Sequence, residues 1–151
     1  MALGGAAVML LLNAAATWFM TGLIWFVQVV HYPLFGRVGR EGYPDYQSAH
    51  QSLTTFVVFP PMLIELATSG AFLWMPPDRI PRWALWLGFA LVGIIWLSTL
   101  LLQVPQHNRL AVAFDPAAHR RLVLTNWIRT LAWSARALLV AWMVSRQFRG
   151  A

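Results

Sequence analysis

Cysteine and lysine are both missing from this 151-residue chain, and only five of its residues are acidic. Without cysteine there is no disulfide framework, no thiolate metal site, no redox-active Cys-x-x-Cys and no lipoprotein anchor. Charged residues make up 11% against 59% hydrophobic, a composition far from that of a water-soluble domain. The net charge of +6 rests on eleven arginines, scattered between apolar runs with no basic block. That pattern speaks against nucleic-acid binding and leaves membrane orientation and helix pairing as the arginines' work. Paired carboxylates, a nucleophilic triad and a Gly-rich phosphate loop in the required context are also missing.

What is present is four long apolar runs, residues 6–30, 53–75, 83–104 and 122–144, each long enough for a hydrocarbon layer about 30 Å thick. The reading is an all-α, integral membrane, up-down four-helix bundle that uses residues 1–151 as a single domain. Loops are expected at 33–52, 76–82 and 105–121, the first two rich in glycine or proline. The five N-terminal residues carry no basic side chain, so the first run is expected to be a retained span, not a cleaved leader. Arg37, Arg40, Arg109, Arg120 and Arg121 fall on one side of this topology and Arg79, Arg82, Arg146 and Arg149 on the other, a balance that assigns no orientation. Trp83, Trp86 and Trp127 suit interfacial belts.

Polar side chains inside apolar runs cost free energy in lipid and should turn inward. In an up-down bundle the end of the first helix, the start of the second, the end of the third and the start of the fourth share one side. Gln28, His31, His50, Gln103, His107, Asn126 and Arg129 are therefore expected to converge there. Asn126, Arg129, Trp133 and Arg136 lie on one helical stripe, as do Trp25, Gln28 and Tyr32. Thr99, Gln103 and His107 are spaced by four, although Pro105 is expected to end the third helix. His119 is expected to be solvated.

Glu65 lies fifteen residues after His50, and Arg136 fifteen after Arg121. Each should sit roughly 22 Å deeper, on opposite helices, as natural partners. A structural ion pair and a proton-relay or substrate-anchoring role both fit. Pro60 and Pro61, inside the second run, are expected to kink or break it, either as a packing bend or at a binding cavity. For His31, His50 and His107 three readings stay open: ligands to a metal or haem, general acid/base or substrate hydrogen bonding, and structural roles.

Val104-Pro105-Gln106-His107-Asn108-Arg109-Leu110, with Asn126-Trp127-Ile128-Arg129 in the last helix and His31-Tyr32-Pro33 after the first, resembles the small four-span membrane proteins of the anthrone-oxygenase-like group. That group has a Pro-x-Asn-x-x-Leu type element, a later Trp and Arg, and a His-Pro element, which here is split by Tyr32. The resemblance implies a compact bundle of a kind whose members oxidise aromatic polyketides, with His31, His107, Asn108 and Arg129 as carried-over site positions.

The functional expectation is an integral multi-pass protein of a bacterial inner membrane, with a polar intramembrane pocket that binds or oxidises a hydrophobic small molecule, aromatic or isoprenoid. His31, His50 or His107 would move a proton or hold a metal, and Arg129 would stabilise developing negative charge. Gln28, Gln103, Asn108 and Asn126 would contact substrate, and Trp25 and Trp133 would line an apolar slot. Two other readings stand beside it: an accessory or assembly subunit of a larger membrane complex, and a small transporter.

Overall fold

The computed structural model describes residues 4–149. It is all-helical, with no strand among the described residues. Four long helical stretches make it up: α1 (Gly5–Arg37), α2 (Tyr43–Ala71), α3 (Arg82–Val112) and α4 (Pro116–Phe148). Three of them, α1 to α3, are long and apolar enough to cross a membrane. The 33-residue α4 is long enough but carries Asn126, Arg129, Thr130 and Arg136 on its buried face, and that inward polar stripe is what lowers its hydropathy.

The helices extend further than the apolar runs. α2 begins at Tyr43, with Pro44 in its first turn, where the proline's missing N–H has no partner to lose. The polar segment 43–52 reads as a loop by hydropathy, yet Tyr43, Gln47 and His50 recur at helical spacing and are all buried. α4 likewise begins at Pro116, capped by the Asp115 carboxylate, which accepts from the Ala117 N–H at 2.8 Å. The third connection is thus residues 113–115 in place of the expected 105–121.

One expectation about proline is corrected. Pro105 does not end α3, which runs on to Val112. A π-helical segment, Thr99–Gln103, precedes it, and there the Val104 N–H reaches back to the Thr99 carbonyl. α1 repeats the arrangement: a π segment at Val27–His31, a Tyr32 N–H bonded to the Val27 carbonyl, then Pro33. Proline lacks an N–H and its ring crowds the carbonyl four residues back; the wider π turn takes up both defects and keeps the helix going. Pro60 and Pro61 do not break α2, which is continuous from Tyr43 to Ala71.

Each helix passes through the same sequence of layers. One apolar cluster contains Met20, Met62, Ile95 and Trp133; the other contains Leu10, Phe72, Leu85 and Met143. Between them lie Asn13, Thr17, Glu65, Ser69, Gly88 and Arg136, joined by hydrogen bonds. Residue numbers rise through these layers in one helix and fall in the next. Asn13 meets Ser69 while Thr17 meets Glu65, and Trp18 meets Ala137 while Trp25 meets Ser134.

Candidate functional site

The middle layer is a closed electrostatic unit. Arg136 Nε donates to Glu65 Oε1 at 3.1 Å, with both side chains buried. Thr17 donates to Glu65 Oε1 at 2.8 Å and the Trp133 indole N–H to Oε2 at 2.9 Å. The remaining guanidinium nitrogens reach the Gly88 carbonyl at 2.6 Å, Asn13 Oδ1 at 3.2 Å, and the Thr17 and Ser69 hydroxyls at 3.3 Å. A buried charge pair is tolerable when its leftover donors and acceptors are all met, and here both members are surrounded by partners from all four helices.

On the far side of Trp133 lies a cavity of about 250 Å³. Its apolar end is Met20, Leu23, Ile24, Val27 and Val58; its polar end is Tyr32, His50, Gln103, His107 and Arg129. Thr55, Val104 and Asn108 also line it and are exposed, so it opens between α2 and α3.

Three helices bring their imidazoles close together: His50 and His107 line the cavity, and His31 bonds His50 from behind its wall. His31 Nε2 lies 3.0 Å from His50 Nδ1, which is also 3.1 Å from the Thr54 hydroxyl. His107 and His50 have ring centroids 5.3 Å apart. Gln47 Nε2 donates to His107 Nδ1 at 2.8 Å, so the proton of a neutral ring sits on Nε2 and is donated to the Tyr32 hydroxyl at 2.9 Å. The Tyr32 oxygen is thereby an acceptor. Its own O–H has no acceptor among the described residues and is free for a molecule in the cavity.

Arg129, seven residues before Arg136 on α4, is treated differently. It is buried, it lines the cavity, it makes no ion pair among the described residues, and its Nε has no hydrogen-bond partner. Its guanidinium carbon sits 5.3 Å from the Trp133 ring centroid, a cation–π contact that offsets only part of the cost of burying the charge. Gln51, another lining residue, has a buried Nε2 that is also without a partner. The cavity is thus lined by a buried cation with no carboxylate beside it, a match for an acceptor oxygen or an anion.

Several expected site residues lie elsewhere. Gln28 accepts from Asn126 Nδ2 at 2.9 Å and donates to the Val123 carbonyl at 3.1 Å. Gln28 and Asn126 thus tie α1 to α4 and do not line the cavity. Trp25 is exposed, donates to Ser134 at 3.0 Å and meets Trp127 edge-on at 5.7 Å, so it lines no slot. Trp133 is spent on Glu65. Gln103 lines the cavity while its amide bridges Ser98 and Thr125.

A metal or haem at His31, His50 and His107, one of the three readings left open by the sequence, does not fit. Both His107 nitrogens are engaged, and His31 and His50 are bonded to each other. No group of three His, Cys, Asp or Glu among the described residues is arranged to hold a metal ion.

Tyr32 and Gln47 were not among the sequence candidates, although Tyr32 lies on the α1 stripe and Gln47 on the Tyr43–His50 face of α2. Their neighbours explain why they matter, and those come from α3. His119 is also corrected. It is half-buried and bonds the Tyr32 carbonyl at 2.8 Å. Its ring lies near Phe35 and Phe114. A Cβ added at Gly36 would meet His119 Cε1 at 3.3 Å, and the ring, held on three sides, cannot move aside. Gly36→Ala is expected to destabilise the protein by about 1–3 kcal/mol, measured by thermal unfolding in detergent, whereas Gly39→Ala, with nothing near its added carbon, should be close to neutral.

Comparison with protein-family models, curated proteins and solved structures found no match to this chain in any of the three.

Proposed function

We propose that this chain is a multi-pass integral membrane protein, an up-down four-helix bundle, that binds a hydrophobic small molecule and moves a proton to or from it. The opposed order of the interhelix contacts and three spans of sufficient length support the topology. Helical spans are the architecture of a bacterial inner membrane, the outer membrane being the place of barrels. The single observation that carries the binding reading is Arg129, a buried cation with no carboxylate partner among the described residues, lining a largely apolar cavity. A buried charge without a counter-charge is costly, and a ligand oxygen beside the guanidinium offsets that cost while the hydrocarbon body lies against Met20, Leu23 and Ile24.

His50 Nε2 makes no hydrogen bond to a described residue, which leaves it as the base or acid facing the ligand. Arg129 and the Tyr32 O–H then stabilise an oxygen on which negative charge develops. An enolisable aromatic ketone has both features, an acidic C–H and an oxygen that becomes anionic. The resemblance to the anthrone-oxygenase-like group makes oxidation of such a ring system the reaction class, with proton removal as the step these residues supply.

Anthrone, which carries the carbonyl, and anthracene, which lacks it, test the reading by quenching of the protein's tryptophan fluorescence under nitrogen. Anthrone is expected to bind saturably, one per chain, and anthracene at least about tenfold more weakly, because a site built to hydrogen-bond oxygen rejects the analogue without it. Equal affinities, or no saturable anthrone binding, would overturn the proposal. Co-purification with other subunits and no ligand binding would favour the accessory role.

A further inference from the structure

His31 and His50 belong to different cavities. His50 lines the one described above; His31 lines a second, of about 230 Å³, on the other side of the α1–α2 seam. Leu23, Val27, Thr54 and Val58 line both and form the wall between them. That wall is apolar except for Thr54, and it is crossed by one hydrogen bond between imidazoles, His31 Nε2 to His50 Nδ1 at 3.0 Å. His31 is half-buried in the π segment of α1, just before Tyr32-Pro33, and its Nδ1 has no partner among the described residues.

We infer that this pair is a proton relay that carries the ligand's proton through the wall to the outer cavity when the ligand fills the α2–α3 mouth of the first. The inference rests on the binding reading above. Imidazole suits the task because its two nitrogens let it take a proton on one side while releasing another from the opposite side. A ligand C–H or O–H bond breaks, its electron pair stays on the ligand, and its proton goes to the lone pair of His50 Nε2. The proton on His50 Nδ1 moves to His31 Nε2, and the one on His31 Nδ1 leaves to water. Thr54 accepts a second, bifurcated bond from His50 Nδ1–H at 3.1 Å and holds the ring in line.

The surrounding groups favour passage over storage. His107 of α3 faces His50 with ring centroids 5.3 Å apart, and Arg129 of α4 lines the same cavity. No carboxylate lines either cavity. With a guanidinium nearby and no anion to hold it, an imidazolium at His50 is unstable and hands its proton on. Run backwards, the relay returns the ligand its own hydrogen. Loss to solvent needs both rings to turn and restore the starting tautomers, which puts that hydrogen on the His31 side for the next transfer, while the released ligand anion takes a hydrogen from water.

The experiment uses anthrone carrying deuterium at C10, incubated under nitrogen in ordinary water with the full chain in phosphatidylcholine nanodiscs, with deuterium loss followed by mass spectrometry. The wild-type protein is expected to accelerate the loss, and His50→Gln to reduce the acceleration roughly 100-fold, within the range for removing a general base. His31→Gln can still hydrogen-bond His50 but cannot take a proton on one side and release one on the other. It is expected to lower the rate at least about tenfold with anthrone affinity unchanged. His31→Ala should behave likewise and regain rate when free imidazole is added. Wild-type rate in His31→Gln would overturn the relay and leave the binding reading intact, since that substitution preserves an orienting role. Anthrone that binds the wild-type protein without faster deuterium loss would also overturn it, and anthrone that does not bind would remove both.

Discussion

Arg136→Met is expected to cost about 3–5 kcal/mol of stability, the usual range for removing one member of a buried ion pair. The substitution leaves the buried Glu65 carboxyl without its cation, with only the Thr17 hydroxyl and the Trp133 indole to meet it. It also strands Asn13 Oδ1, and it removes the second bond that the Gly88 carbonyl accepts in addition to its helical one. These groups come from all four helices, so the loss falls on the whole assembly. Denaturant unfolding in mild detergent measures it. Glu65→Met/Arg136→Met together should recover part of the loss, because the unpaired buried carboxyl is gone while the Asn13 amide oxygen still lacks its partner. Two silent single variants would mean that the pair does not hold the helices together.

Arg129→Met, one heptad earlier on the same helix, is expected to do the reverse. Its guanidinium has no carboxylate partner, and its Nε bonds nothing, so its removal discards a buried charge that the fold does not compensate. Stability should be unchanged or raised in the same unfolding series. The loss should appear in ligand binding instead. A charge-assisted hydrogen bond contributes about 1.5–3 kcal/mol, so anthrone affinity should fall roughly 10- to 100-fold, with anthracene unaffected. A destabilised Arg129→Met protein that still binds anthrone normally would reassign Arg129 to the scaffold. The contrast is between two arginines of identical chemistry on one helical face, and only their surroundings separate a structural ion pair from a binding group.

Those surroundings were partly legible in advance. Glu65 and Arg136 could be matched because each was the unusual charge in its run and their depths agreed. His31, His50 and His107 could be gathered on one side because sequential helices of a bundle alternate direction. The same reasoning assigned Gln28 and Asn126 to the ligand, when they bond each other. It also overlooked Tyr32 and Gln47, which hold His107. Periodicity shows which face of a helix a residue occupies, but not which atom of another helix lies opposite. Hydropathy failed in a different way at residues 43–52 and 105–121, where buried faces are built from Tyr43, Gln47, Leu110 and Ala118 amid polar neighbours.

By itself the amino-acid sequence determined the helical class, the number of long helices, the want of any thiol chemistry and the two depths at which polar groups cluster. All of these follow from composition and from spacing along one chain. The tertiary structure alone decided that Arg136 is neutralised while Arg129 is not, that His107 is fixed in one protonation form, and that His31 and His50 join two cavities. Each depends on register between helices, which the π turns before Pro33 and Pro105 and the short 113–115 connection set to within a residue. A hydrogen bond fails over about an ångström, whereas a sequence pattern locates a side chain only to within a turn of about 5.4 Å.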